Sequence, residues 1–287
     1  MSGIYPMYSA AYIRIITGRI RSMAVLVMIV ILAAAELVLL GALGGIGPLK
    51  FTRDWVLAGH PGNAKKYNIE NILPSASSPL KGKRFLFLGS SVTFGAASMQ
   101  CSMADYIRVL DSCDVVKEAV NGTTLADIGP QSYLSRLMTV DTAQHFDAVI
   151  VQLSTNDATK KLPLGVIIES TDPIDFDTKT VVGSMEAIIA RCKEKWNCPV
   201  IFYTGTRYSS KEYQAMVDAL YRLQPKWGLG IIDLWNDAEM NAVEKEDYEL
   251  YMHDKIHPTK AGYLVWWVPK FRAYLHKIFG EQRSLKG

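Results

Sequence analysis

Gly89-Ser90-Ser91 follows the apolar run Arg84–Leu88 and precedes a small-residue, helix-like stretch. A short buried strand that ends in such a turn delivers a serine to the carboxyl edge of a parallel sheet, where these sheets carry their chemistry. A serine hydroxyl is a weak nucleophile and needs a base within about 2.6–3.2 Å. The far end of the chain offers one in Asp254-Lys255-Ile256-His257. A carboxylate three residues before a histidine can orient the ring and stabilise its protonated form. Two further blocks follow strand-like runs: Asn121-Gly122-Thr123-Thr124 after Val115–Val120, and Ser154-Thr155-Asn156-Asp157 after Ala148–Leu153. A glycine N–H and an asparagine amide are neutral donors of the kind an acyl-transfer oxyanion needs, and losing one typically costs about 2.7–4 kcal/mol of transition-state stabilisation.

Each block taken alone has a plainer reading. Ser91 alone is a polar turn serine, Asn-Gly is a turn, and Asn156-Asp157 sits where a helix N-cap would. His253 and His257 are spaced like two metal ligands on one helix face. Pro258 disfavours a helical His257, and no third ligand is evident, so the site as read calls for neither metal nor cofactor. Asp172, Asp175 and Asp177 lack the glycine and terminal glutamate of a calcium loop. Four blocks in chain order, each at the end of a strand-like run, outweigh these separate readings.

The elements that would hold the blocks are legible as an alternation. Apolar runs Arg84–Leu88, Val115–Val120, Ala148–Leu153, Val200–Tyr203 and Gly230–Leu234 are separated by helix-length stretches such as Val181–Lys195 and Lys211–Leu223 with three-to-four-residue apolar spacing. Five strands joined by helices predict right-handed crossovers and an α/β three-layer sandwich around a parallel five-stranded sheet. Residues 159–180, with Pro163 and Pro173, interrupt the rhythm and are expected to wall the site. Tyr263, Trp266, Trp267 and Tyr274 read as core packing on a terminal helix.

The chain has 287 residues, 49% hydrophobic and 21% charged, which suits a globular core and argues against disorder. Its formal charge of +3 is carried by residues 1–50, where Arg14, Arg19, Arg21 and Lys50 face one Glu36. The remainder is balanced, which gives no sign of a nucleic-acid-binding stripe. Met23–Leu43 is apolar and long enough to cross a bilayer. The preceding arginines place the N-terminus in the cytoplasm and the rest outside. The expected organisation is a cytoplasmic N-terminus 1–22, a transmembrane signal anchor 23–43, a linker and lead-in 44–82, and a catalytic domain 83–287. A cleaved signal peptide ending near Ala33-Ala34-Ala35, and hence a secreted protein, is the competing reading. Cys101, Cys113, Cys192 and Cys198 are in number and setting compatible with disulfides in an exported domain. Cys192 and Cys198 are the pair best placed to meet, and four free, buried thiols are an equal alternative.

The four blocks together resemble the SGNH hydrolases, the GDSL esterase/lipase family, over roughly Arg84 to the C-terminus. The resemblance implies a flavodoxin-like fold, a nucleophile at Ser91, a base at His257 oriented by Asp254, and an oxyanion hole formed by Ser91, Gly122 and Asn156. Two departures are visible: Ser90 stands where the family has Asp, and Ser154 where it has Gly. The implied function is an extracytoplasmic serine esterase acting on small acyl esters, O-acetyl groups on a glycan foremost. An O-acyltransferase to a glycan hydroxyl, a lipase or lysophospholipase, and a non-catalytic surface binding protein are the alternatives. For a lipase, Leu162, Leu164, Val166, Ile167 and Ile168 would meet the acyl chain.

Overall fold

The computed structural model describes residues 10–44 and 51–284. The first nine residues of the expected cytoplasmic segment and residues 45–50 of the expected linker lie outside the described residues. The chain divides into two compact units, Met1–Ala58 and Gly59–Gly287. The first holds helices α1 (Ala10–Gly44) and α2 (Phe51–Ala58). Within α1, Arg19–Leu39 has a mean hydropathy of 2.7 over its most apolar stretch and no buried residue there. It is long and apolar enough to span a membrane.

The second unit contains five strands, β1 (Arg84–Gly89), β2 (Asp114–Ala119), β3 (Ala148–Gln152), β4 (Val200–Tyr203) and β5 (Gly230–Ile232). They form one sheet in the order β2-β1-β3-β4-β5, every neighbouring pair parallel. The helices are α3 (Ser91–Phe94), α4 (Met103–Leu110), α5 (Tyr133–Leu137), α6 (Thr155–Thr159), α7 (Val181–Trp196), α8 (Lys211–Trp227), α9 (Lys245–Tyr251) and α10 (Val268–Ser284). Strand side chains alternate between two cores. Leu86, Leu88, Val149, Val151 and Phe202 join residues of α5, α7 and α8 on one face. Phe85, Phe87, Ile150, Ile201 and Tyr203 join residues of α4 and α10 on the other. The central strands are therefore apolar on both sides, which is why they read as unbroken runs rather than alternating ones. This is the expected α/β three-layer, flavodoxin-like arrangement. Tyr263 and Trp267 are fully buried in the second core.

Strand order reverses between β1 and β3, and open α/β sheets bind ligands at that crevice. Ser91 follows β1 and Asn156 follows β3.

Residues 59–82 differ from the linker expected of them. They fold into short 3-10 turns over Pro61–Asn63, Lys65–Tyr67 and Ile69–Asn71. The Tyr106 hydroxyl donates to Tyr67 O at 2.6 Å, Ser78 Oγ donates to Asp111 Oδ1 at 2.7 Å, and Leu80 is fully buried in the second core. Proline and serine signal irregular backbone, and here that backbone is tied down by partners distant in sequence. The apolar residues 164–168, named for an acyl chain in the lipase reading, divide between two settings. Leu164, Ile167 and Ile168 pack on the first core, while Val166 borders a separate cavity with Gly165 and Gly183.

Candidate active site

Ser91 opens α3, directly beyond the carboxyl end of β1. The turn is held from below by Gln152, the last residue of β3. Its Oε1 accepts from the N–H of Ser90 at 2.9 Å, the N–H of Thr93 at 3.2 Å and the hydroxyl of Thr93 at 2.9 Å. The Tyr263 hydroxyl donates to Val92 O at 2.6 Å. Ser91 is thus fixed at the sheet edge and is 8% exposed.

His257 reaches this serine from 166 residues away, with Nε2 at 2.8 Å from Ser91 Oγ. Its Nδ1 lies 2.8 Å from Asp254 Oδ2 and 3.0 Å from Oδ1. Asp254 Oδ1 also accepts the N–H groups of Ile256 at 2.8 Å and His257 at 2.9 Å. The carboxylate therefore shapes the loop as well as facing the ring. Burial pushes the Asp254 carboxyl up. The hydrogen bond and charge of His257 and the two backbone N–H groups outweigh it and bring the group down to about 2. A carboxyl depressed in the folded state stabilises the fold above the ordinary value of ~3.9, and that stabilisation fades as pH falls through about 2.

Both ring nitrogens of His257 are engaged by Ser91 and Asp254, so neither is free for a metal. The His253 ring instead packs edge-on against His60, centroids 5.9 Å apart. Among the described residues His, Cys, Asp and Glu do not gather in groups of three or more that could hold a metal.

Gly122 lies in the loop after β2, and Asn156 in α6 after β3. Gly122 has φ +76°, a left-handed backbone that favours glycine. A Cβ there would meet nothing within 4 Å, so glycine is required by the backbone conformation rather than by crowding from the protein. Asn156 Nδ2 donates to Thr123 O at 2.8 Å, and the amide has a second proton to offer. This bond ties Asn156 to the Gly122 loop.

Asp157 of the third block, and Lys160 and Arg136, which the sequence did not single out, hold that loop. Asp157 accepts the N–H groups of Leu125 at 2.8 Å and Ala126 at 2.9 Å. Lys160 Nζ donates to Gly122 O at 3.0 Å. Arg136, 7% exposed on α5, donates to Gly89 O at 2.7 Å, Glu118 O at 2.6 Å and Thr123 Oγ1 at 3.3 Å. It ties the ends of β1 and β2 to the loop. An arginine on a short amphipathic helix gives no sequence signal of this role.

Each departure from the family pattern has a local place. Ser154 is the N-cap of α6, accepting the N–H of Asp157, and Ser90 is buried with its N–H on Gln152. The four cysteines are free thiols, so Cys192 and Cys198 are not joined. Burial pushes the Cys101 and Cys198 thiols up to about 11 and Cys113 to about 12. Those groups stay protonated at neutral pH and are poor nucleophiles.

The sequence profile of the GDSL-like lipase/acylhydrolase family matches residues 87–265, which span the strands, Ser91, Gly122, Asn156, Asp254 and His257. The chain belongs to that family. It is a hydrolase of the esterase/lipase type. Among solved structures it is similar to a protein from Lactobacillus plantarum, with 18% identity, a TM-score of 0.56, and coverage of 68% of this chain and 97% of that one. It is also similar to a "possible lipase" from Chitinophaga pinensis, with 15% identity, a TM-score of 0.50, and coverage of 69% and 98%. These likenesses speak for the GDSL fold. No curated protein matches the sequence significantly.

Proposed function

We propose that this GDSL hydrolase is a membrane-anchored, extracytoplasmic serine esterase that removes small acyl groups, O-acetyl foremost, from a glycan through an acyl-enzyme on Ser91. The observation that carries the proposal is the continuous hydrogen-bonded line Ser91–His257–Asp254, 2.8 Å at each step. As Ser91 Oγ attacks the ester carbonyl carbon, its proton passes to His257 Nε2. Ionised Asp254 holds Nδ1–H and stabilises the imidazolium. The oxyanion is received by the N–H of Ser91, the N–H of Gly122 and the second amide proton of Asn156. Collapse of the intermediate expels the alcohol, which takes the proton from His257. A water activated by the same ring then releases the acid and restores Ser91.

Two cavities border residues next to the site, and the smaller one supports the small-acyl reading. The first, about 10 Å³, is lined by Val92, Thr155, Gly205, Tyr208, Lys255 and Ile256. Val92 follows Ser91, Thr155 precedes Asn156 and Ile256 precedes His257. A volume of this order holds about one water-sized group and leaves no room for a long acyl chain. The second, about 260 Å³, opens at Gly122 among Thr123, Gln131, Ser132 and Lys160. Ile128, Gly129 and Pro130 also line it, and it has room for the alcohol part of an ester. With p-nitrophenyl esters, kcat/KM for butyrate should fall at least about tenfold below acetate, the usual cost of misfitted methylenes. Tyr208→Ala should narrow that gap by opening the first cavity. Equal rates on acetate and butyrate in the wild type would refute the small-acyl assignment and leave the esterase intact.

The extracytoplasmic reading is supported by Arg14, Arg19 and Arg21 before the apolar span, since by the positive-inside rule such residues keep the N-terminus in the cytoplasm. A phosphatase reporter fused after Gly287 should therefore be active, and the intact chain should fractionate with membrane. A soluble form with a new N-terminus near Glu36 would replace the anchor with a cleaved signal peptide. A cytoplasmic C-terminus would refute both and remove the argument for a surface glycan.

A further inference from the structure

We propose that Asn63, in the segment preceding the sheet, is a positioning residue for the reaction at Ser91, acting through the two segments that carry Ser91 and His257. The proposal rests on the esterase reading above. Asn63 is 5% exposed and ends the 3-10 turn Pro61–Asn63, whose start is set by the Gly62 N–H donating to His60 Nδ1 at 3.0 Å. Its Nδ2 donates to Ala97 O at 2.8 Å, and its Oδ1 accepts the N–H of Lys260 at 3.0 Å. Ala97 lies in the turn that closes on the nucleophile, where the Ala96 N–H donates to Ser91 O at 2.9 Å. Lys260 lies three residues beyond His257. One planar amide thus bridges two segments that meet at the site from opposite ends of the catalytic unit.

The surroundings keep that bridge in register. Lys260 Nζ donates to Asn68 Oδ1 at 2.7 Å, so the same lysine is held at both backbone and side chain. A Cβ on Gly62 would fall 2.1 Å from Leu250 O and 2.4 Å from Thr259 Oγ1, which shows how closely this segment lies on the His257 loop. The loop itself is irregular. Between α9 and Lys260 its pairing consists of the short bridge Met252–Pro258 and local bonds such as His253 N–H to His257 O at 2.9 Å. Removing the Asn63 amide would leave Ala97 O and the Lys260 N–H without their partner, and both segments would shift to find others. Catalysis is steep in such shifts: a displacement near 1 Å can cost about 100-fold. The bonds of Asn63 run to the segments that carry the reacting groups, so the loss belongs in kcat rather than in KM.

The test uses the full-length chain in detergent. Competent sites are first counted by titration with a fluorophosphonate, and p-nitrophenyl acetate kinetics are then expressed per titrated site. Asn63→Ala should lower kcat per titrated site about 10- to 100-fold with KM within about twofold. Asn63→Asp keeps an acceptor for the Lys260 N–H but, when ionised, loses the donor to Ala97 O, and should fall between Asn63→Ala and wild type. A merely structural role predicts fewer titratable sites or a lower melting temperature with kcat per site unchanged, and that result overturns the proposal. If Asn63→Ala yields no titratable enzyme, Asn63→Asp decides by the same criterion. A wild-type chain that takes up no fluorophosphonate overturns the esterase reading and this proposal with it.

Discussion

Ser91→Ala should lower ester hydrolysis by about 10⁴–10⁶-fold while the fold and melting temperature stay close to wild type. The substitution removes one hydroxyl at the edge of the sheet. The bonds that build the turn, from Gln152 to Ser90 and Thr93 and from Tyr263 to Val92, do not involve that hydroxyl. His257→Ala should be similarly inactive, since the base is then missing. Because serine and base act as a unit, the double variant should be about as impaired as either single one. Turnover of p-nitrophenyl acetate and far-ultraviolet circular dichroism on the same preparations check both parts. Near wild-type turnover in Ser91→Ala, with Ser90→Ala inactive instead, would move the nucleophile by one residue.

Asp254→Asn should be more damaging than Asp254→Ala, with a loss on the order of 10⁴-fold. The reason lies in what each carboxylate oxygen does. Oδ1 accepts two backbone N–H groups, from Ile256 and His257, so an asparagine must keep its carbonyl there. Its NH₂ then takes the place of Oδ2, 2.8 Å from His257 Nδ1. A donor at that point forces Nδ1 to accept and puts the ring proton on Nε2, facing Ser91, where the base must be free. Alanine leaves the ring without an orienting partner but does not impose the wrong tautomer. Raising the pH should not rescue Asp254→Asn, because the loss comes from the tautomer that the asparagine imposes on the neutral ring and not from its net protonation. The wild-type carboxyl, held at about 2, is ionised throughout the neutral range. Comparing kcat of the two variants across neutral and alkaline pH checks the order, and the reverse order would contradict this account.

The sheet and the four blocks were legible because their signals are local. The strands β1, β3 and β4 are buried on both faces and so appear as continuous apolar runs. The expected fifth run, to Leu234, overshoots the strand because pairing stops at Ile232. Beyond it the Asp233 carboxylate accepts the N–H groups of Trp235 and Asn236 and turns the chain away. The positions of Ser91 and Asn156 follow from strand ends, and those of Asp254 and His257 from their three-residue spacing. What stayed hidden depends on distant partners. Asn63 bonds to groups 34 and 197 residues away, and in its Pro-Gly-Asn setting it reads as a turn residue. Arg136 sits on a short helix and Gln152 at the end of the run Ala148–Leu153, and neither position signals its partner, yet one ties strand ends together and the other holds the nucleophile turn. The packing of residues 59–82 has the same origin, since it is fixed by α4, α10 and the His257 loop rather than by their own composition.

The most direct measurement is to treat the full-length chain in detergent with a fluorophosphonate and map the adduct by peptide mass spectrometry. Attack by Ser91 Oγ forms the O–P bond as fluoride leaves and the serine proton passes to His257. A single phosphonate on Ser91, absent in Ser91→Ala and strongly slowed in His257→Ala, is the predicted result. No adduct, or an adduct on Ser90 or another residue with esterase activity retained after Ser91→Ala, would contradict Ser91 as the nucleophile.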